Sequence, residues 1–188
     1  MIIKKLLLHS KVWLYRFVFS NNRNIIGKPK CLQPTVFLGR GRLEIGQNNV
    51  FGYNPSPYFY SGSCHVEART DDAIIVLGKN NHFNNNFVVI AEHGKIEIGS
   101  DCLIGWNVSV CNSDFHPIRV AERHNASQRS KDVKIGNNVF IGSNVTILKG
   151  VSIGDNAVIA SGSVVKDDVD ENTIVMGNPA VFYKKIEG

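Results

Sequence analysis

Residues 133–165 read VKIGNNVFIGSNVTILKGVSIGDNAVIASGSVV, and an aliphatic residue returns at every sixth position: Ile135, Ile141, Ile147, Ile153, Ile159 and Val165. Gly136, Gly142 and Gly154 follow three of these and Ala160 follows another, while Val139, Val145, Val151, Ala157 and Ser163 stand four residues after the first five. This spacing is neither the 3.6-residue period of an amphipathic helix nor the two-residue alternation of a half-buried strand. It fits a solenoid in which each hexad is a short strand plus a turn and three hexads close one triangular coil. The aliphatic residue then fills the interior, and Gly and Asn supply turn backbone with positive φ. Stacked coils would form parallel sheets around a continuous core of Ile and Val.

The same rhythm runs backwards through Val110, Ile104-Gly105 and Ile98-Gly99, with fainter echoes at Phe83-Asn84, Leu77-Gly78, Phe51-Gly52 and Ile45-Gly46. Turn demand explains the 20 Asn and 17 Gly among 188 residues. The chain reads as all-β, with a basic amphipathic, helical segment at 1–30, the β-helix at 31–176 and a C-terminal turn and tail at 177–188. The phase slips between Val110 and Ile135, so an excursion loop is expected at 111–134. A second break, 52–74, gathers Tyr53, Tyr58, Phe59, Tyr60 and His65, which suit either stacking on sugar faces or packing the N-terminal segment onto the first coil.

Charge is unevenly spread. Nine Lys and Arg precede the first acid, Glu44, so residues 1–42 carry +9 and the remainder −4 of the total +5. An acidic body with a basic apron disfavours a nucleic-acid binder. The apron is also rich in Leu, Trp and Phe, which suggests a peripheral contact of residues 1–20 with an anionic membrane face, or attraction of an acidic glycan. His9, Lys11 and Arg16 interrupt its apolar run, arguing against a signal peptide or a spanning helix. Cys31, Cys64, Cys102 and Cys111 form no C-x-x-C pair, and reduced thiols in a cytoplasmic protein are expected.

The excursion is the most charge-rich break in the repeat and holds Asp114, His116, Arg119, Glu122, Arg123, His124, Arg129, Lys131 and Asp132. Loops on a rigid scaffold are common homes for catalytic groups. His116 is the candidate general base, because an imidazole titrates near neutrality and can take up and return a proton there. Pro117 biases His116 towards an extended backbone. Asp114 lies two residues earlier, which in an extended segment puts both side chains on one side, where the carboxylate would orient the ring.

Three segments, Gly78–Val89, Asn112–Ile118 and Gly177-Asn178-Pro179-Ala180, together with the repeat, resemble the hexapeptide-repeat acyltransferases over residues 36–186, with sugar and polysaccharide O-acetyltransferases and galactoside and maltose acetyltransferases as the nearest kin. The resemblance implies a left-handed parallel β-helix, acetyl-coenzyme A as co-substrate, no metal, a carbohydrate hydroxyl as acceptor and a homotrimer with sites between subunits. It gives His116 the base role. Asp114 matches an Asp-x-His-Pro arrangement of serine acetyltransferases, although sugar acetyltransferases often use a backbone carbonyl instead. Asn84 matches an acceptor-contacting Asn, with Asn86 as second choice and Asn85 as a turn residue of left-handed geometry. Trp106 suits stacking on a sugar or the cofactor, or packing between subunits. Ser143, Ser161 and Lys166 match cofactor-contacting positions, although Asp167 stands where the pattern has Lys; Lys184 and Lys185 replace arginines near the phosphates.

Three rivals share the scaffold. A metal-dependent hydratase of this fold needs histidines where this chain has Ser143 and Leu148. An N-acetyltransferase of an amino sugar would use the same base, but a nucleotide-binding β-α-β domain found in some such enzymes is absent from the N-terminus. A non-catalytic assembly module would lack a reason for the His116 loop.

Overall fold

A computed structural model describes residues 2–125 and 129–187. Three parallel faces wind into the left-handed β-helix that the resemblance implied. The first face stacks β1 (Ile25–Ile26), β4 (Arg42–Ile45), β7 (Ile74–Leu77), β10 (Lys95–Ile98), β13 (Val133–Ile135) and β16 (Ser152–Ile153). The second stacks β2 (Lys30–Cys31), β5 (Val50–Phe51), β8 (His82–Phe83), β11 (Leu103–Ile104), β14 (Phe140–Ile141), β17 (Val158–Ile159), β19 (Thr173–Gly177) and the antiparallel β20 (Ala180–Lys185). The third stacks β3 (Thr35–Leu38), β6 (Cys64–Ala68), β9 (Val88–Ala91), β12 (Ser109–Cys111), β15 (Thr146–Ile147) and β18 (Val164–Val165).

The six-residue register is the inward register. Ile135, Ile141, Ile147, Ile153, Ile159 and Val165 are all at most 2% exposed, and the residues four positions on, from Val139 to Ser163, are buried as well. Towards the N-terminal end the core turns aromatic: Phe51 stacks on Phe83 at 4.7 Å and Phe83 meets Phe87 at 4.6 Å. Bulky rings fill these coils as the branched aliphatics fill the later ones.

Asparagine turns the corners. Asn48, Asn80, Asn138, Asn156 and Asn172, joined by Asp101, hold φ between 53° and 62° between the first and second faces. Their amides bond upward through the stack, Asn138 to Asn156 and Asn156 to Asn172, each at 2.9 Å. Asn tolerates the left-handed region better than other chiral residues, so one residue type serves both the turn and the ladder. Glycine is needed for a different reason at Gly105 and Gly142, where a Cβ would lie 2.6 Å from the backbone nitrogens of Ser143 and Ser161. Successive turns therefore touch along that edge.

Helix α1 (Ile2–Leu14) continues as a π-helical turn, Tyr15–Phe19, and Ser20 ends it by donating to the Tyr15 carbonyl at 2.7 Å. The same hydroxyl accepts the Phe37 N–H at 2.9 Å, and Arg16 lies 4.4 Å over the Phe37 ring, so the segment is fastened to the first coil. That coil begins at Ile25, whose strand pairs with Leu43 and Glu44, inside the stretch read as the N-terminal segment.

Candidate active site

The chain leaves the coil after Cys111 and returns at Val133, at the edge between the third and first faces. Asn112, fully buried, roots the excursion: its Oδ1 accepts the Glu92 N–H at 2.9 Å and its amide donates to the His93 carbonyl. Ser113 donates to the Glu92 carboxylate and accepts the Phe115 N–H at 2.9 Å. Phe115 has φ of 60°, and the His116 N–H closes back on the Asp114 carbonyl at 2.7 Å. Beyond this corner the His116 side chain is exposed, and among the described residues no hydrogen bond engages its ring.

The extended geometry expected for Asp114–His116 is thus replaced by a tight turn. A positive φ at Phe115 breaks the alternation that would have put both side chains on one side. The Asp114 carboxylate instead pairs with Lys149, which also donates to the Arg129 carbonyl at 3.1 Å. Lys166 follows one coil later on this histidine edge, and its ammonium is taken by Asp167 at 2.7 Å. The departure from the family pattern at Asp167 therefore pairs internally.

Asn84, Trp106, Ser143 and Ser161 occupy a different edge, between the second and third faces. They stack there: the Asn107 N–H donates to the Asn85 carbonyl, the Asn144 N–H to Trp106 and the Gly162 N–H to Ser143, at 2.8–2.9 Å. Ser161 Oγ accepts the Ser143 N–H at 3.1 Å. Asn84 Oδ1 accepts the Asn85 N–H at 2.7 Å, and Asn84 borders a groove of about 280 Å³ with Tyr53, His82, Leu103 and Phe140. The break expected at 52–74 is shorter, because the coil resumes at Cys64 with β6; the Trp106 ring meets Tyr58 at 5.6 Å, so this aromatic excursion roofs the asparagine edge. Asn85 is not the left-handed residue; Asn86 is, with φ of 59°. Asn85 is a fully buried bracket whose amide donates to the carbonyls of Tyr53, Ser56 and Pro57.

One subunit does not bring the two sets together. From Trp106 to Asn112 the chain crosses the whole third face, about 20 Å of extended backbone. Lys184 and Lys185 lie apart from both sets on exposed β20, where Lys185 donates to Thr173 Oγ1 at 3.1 Å.

The sequence reading missed Glu92, Lys149 and Arg69. Continuing the coil register places Glu92 opposite Ser113 and Lys149 opposite Asn112, so the periodicity carried that signal. Arg69 had no motif to mark it. Beside it, Glu67 is held at a pKa of about 2, first by the hydrogen bond from His65 and then by Arg69. The thiols are inert by comparison: burial raises all four, Cys64 to about 12, and none is disulfide-bonded. No cluster of three or more metal-ligating side chains occurs among the described residues.

Residues 132–167 match the bacterial transferase hexapeptide (six repeats) family. Over 179 residues, 95% of this chain and 78% of the relative, the sequence is 38% identical to the galactoside O-acetyltransferase of Escherichia coli (strain K12). The chain spans about half the length of several other curated relatives that it matches. Among solved structures, the polySia-specific acetyltransferase NeuO aligns with a TM-score of 0.65 at 29% identity, covering 88% of this chain and 74% of its own. A hexapeptide-repeat acetyltransferase from Vibrio cholerae O1 biovar eltor, complexed with acetyl-coenzyme A, aligns with a TM-score of 0.58 at 25% identity, covering 84% and 73%.

Proposed function

Because the chain belongs to the hexapeptide-repeat acyltransferases, we propose that it transfers the acetyl group of acetyl-coenzyme A to a hydroxyl of a carbohydrate acceptor, with His116 as general base. The observation that carries this reading is the His116 imidazole, exposed and without a hydrogen bond among the described residues, at the tip of a corner that buried Asn112 and Ser113 anchor. An exposed neutral imidazole carries one acceptor nitrogen that can take the acceptor's proton and return it.

In the proposed reaction the acceptor oxygen loses its proton to His116 while forming a bond to the thioester carbonyl carbon. The resulting oxyanion is stabilised by a backbone N–H. As it collapses, the C–S bond breaks and the imidazolium gives its proton to the departing thiolate. Coenzyme A and the O-acetyl sugar leave, and His116 is neutral again.

The active unit in this reading is a homotrimer whose sites join the histidine edge of one subunit to the asparagine edge of the next. The split of the candidate residues over two edges supports it, as do Leu103 and Phe140, about half exposed on the second face. Ser143 and Ser161 then offer turn polar groups to the pantetheine arm, and Lys166, Lys184 and Lys185 face the phosphates. Asp114 holds the hairpin through Lys149. Asn84 meets the acceptor, and Trp106 stiffens the groove with Tyr58.

The test is an acetyl-coenzyme A assay against a galactoside, an oligosialic acid and an amino sugar, run beside His116→Ala. Loss of roughly 100- to 10,000-fold in kcat is expected for His116→Ala, the usual share of general-base catalysis. A fully active variant contradicts the mechanism, and a preference for the amine over every hydroxyl contradicts O-transfer.

A peripheral contact with an anionic membrane belongs to the same reading. Leu6, Trp13, Leu14 and Phe17 recur at helical spacing and stay exposed, Trp13 at 57% and Phe17 at 64%, within the +9 apron. No helix among the described residues is long and apolar enough to cross a membrane. Binding to phosphatidylglycerol vesicles should weaken with salt and with Trp13→Ser plus Phe17→Ser. Equal binding by the variant leaves the stripe to contacts between subunits.

A further inference from the structure

Phe115 is an unusual residue for its backbone. At φ of 60° it occupies the left-handed region, which a bulky side chain rarely adopts without outside support. His116 follows immediately, so whatever holds the Phe115 corner also sets the direction of the imidazole. Within the hairpin the Ser113 hydroxyl accepts the Phe115 N–H, and the His116 N–H closes on the Asp114 carbonyl at 2.7 Å.

A further contact comes from the third face. The Arg69 guanidinium lies 4.7 Å from the centroid of the Phe115 ring. Arg69 is itself fixed: its Nε donates to Glu67 Oε1 at 2.8 Å and its Nη2 to Glu67 Oε2 at 3.3 Å, a two-point fork that sets the plane of the guanidinium. His65 completes the row, donating from Nε2 to Glu67 Oε2 at 2.9 Å. Glu67 is largely covered, with 16% of its side chain exposed, against 38% for Arg69. The row is therefore a rigid shelf on the outside of the coil, and the ring of Phe115 rests on its end.

We propose that Arg69 is a positioning residue, which holds the Phe115 ring by a cation–π contact and so fixes the corner that presents His116. The inference rests on the general-base reading for its effect on rate. Arg69 donates to no substrate atom in this account. Its influence passes through one aromatic ring, so the effect must vanish when the ring does.

That condition supplies the test, a double-mutant cycle of Arg69→Ala and Phe115→Gly assayed with acetyl-coenzyme A and the acceptors above. In the native background Arg69→Ala should lower kcat roughly three- to ten-fold, the rate equivalent of one cation–π contact, with the KM for acetyl-coenzyme A within about twofold. In the Phe115→Gly background, where glycine adopts the turn without strain, the same change should cost less than about twofold. Arg69→Lys, which keeps the charge but loses the planar fork, should recover part of the rate.

An equal loss in both backgrounds, or none in the native one, overturns the inference. If Arg69→Ala melts early, Arg69→Lys carries the comparison. A readout independent of turnover separates this inference from the base reading: in histidine-labelled protein, the ring resonance of His116 should shift or broaden in Arg69→Ala. If His116→Ala is fully active while Arg69→Ala, with His116 retained, does shift the resonance, the base is defeated and the brace stands. An inactive His116→Ala with the resonance unmoved by Arg69→Ala keeps the base and defeats the brace.

Discussion

At the scale of single residues, the His116 hairpin shows how little of a site is set by residue type alone. A reading based on Asp-x-His-Pro expects carboxylate and imidazole on one side, and the left-handed Phe115 turns them apart, leaving Asp114 to Lys149. Asp114→Asn should therefore loosen the hairpin's tie to the following coil without reproducing the His116→Ala loss. A kcat reduction equal to that of His116→Ala would return Asp114 to the role of orienting partner. Glu67 supports a pH prediction at the same scale. Its carboxyl is held at about 2, below the ordinary 4.5, so its stabilising effect is complete above about 4.5 and disappears as pH falls towards 2. Urea denaturation at pH 6 should find Glu67→Gln less stable by on the order of 1–3 kcal/mol, the worth of charged hydrogen bonds. Near pH 2.5 the gap should narrow, and a constant gap would assign the loss to packing instead.

The element scale is where sequence and structure agree most closely, because the hexad repeats the same physical demand in each coil. Ile135 to Val165 face inward, and the asparagine turns hold positive φ, since burial and steric exclusion leave few other solutions at those positions. Asn138 gives a direct check. Asn138→Gly keeps the turn and loses one ladder bond, whereas Asn138→Val must also enter the left-handed region, a further cost of about 1–2 kcal/mol. Equal thermal midpoints for the two variants would show that the ladder, not the turn, selects asparagine. Legibility ended where the period ended. Residues 52–63 are organised by Asn85 reaching back some thirty positions to three carbonyls, and the Arg69 shelf meets Phe115 across coils. Both are contacts between distant segments, carried by no local pattern. Asn85 differs from the sequence expectation because three consecutive asparagines, Asn84 to Asn86, look alike in sequence, and burial separates the bracket from the turn.

For the molecule as a whole, the uneven charge and the split site describe one arrangement. The helical part of the apron, with Lys4, Lys5, Lys11 and Arg16, is fastened through Ser20 and Arg16 to the first coil, which carries the apron's remaining basic residues, beside the aromatic break that roofs the asparagine edge. A trimer would carry three such aprons on one end and three composite sites between neighbouring edges. The claim that the site is shared between subunits is tested by mixing two variants, His116→Ala and Asn84→Ala, each assayed alone and then co-assembled in equal amounts. If the base and the acceptor-binding amide come from different subunits, every mixed trimer regenerates one intact site, and activity returns to about a quarter of the native level. If mass spectrometry shows mixed trimers and activity does not rise above that of the separate variants, the two residues serve one subunit, and the composite site proposed here is wrong.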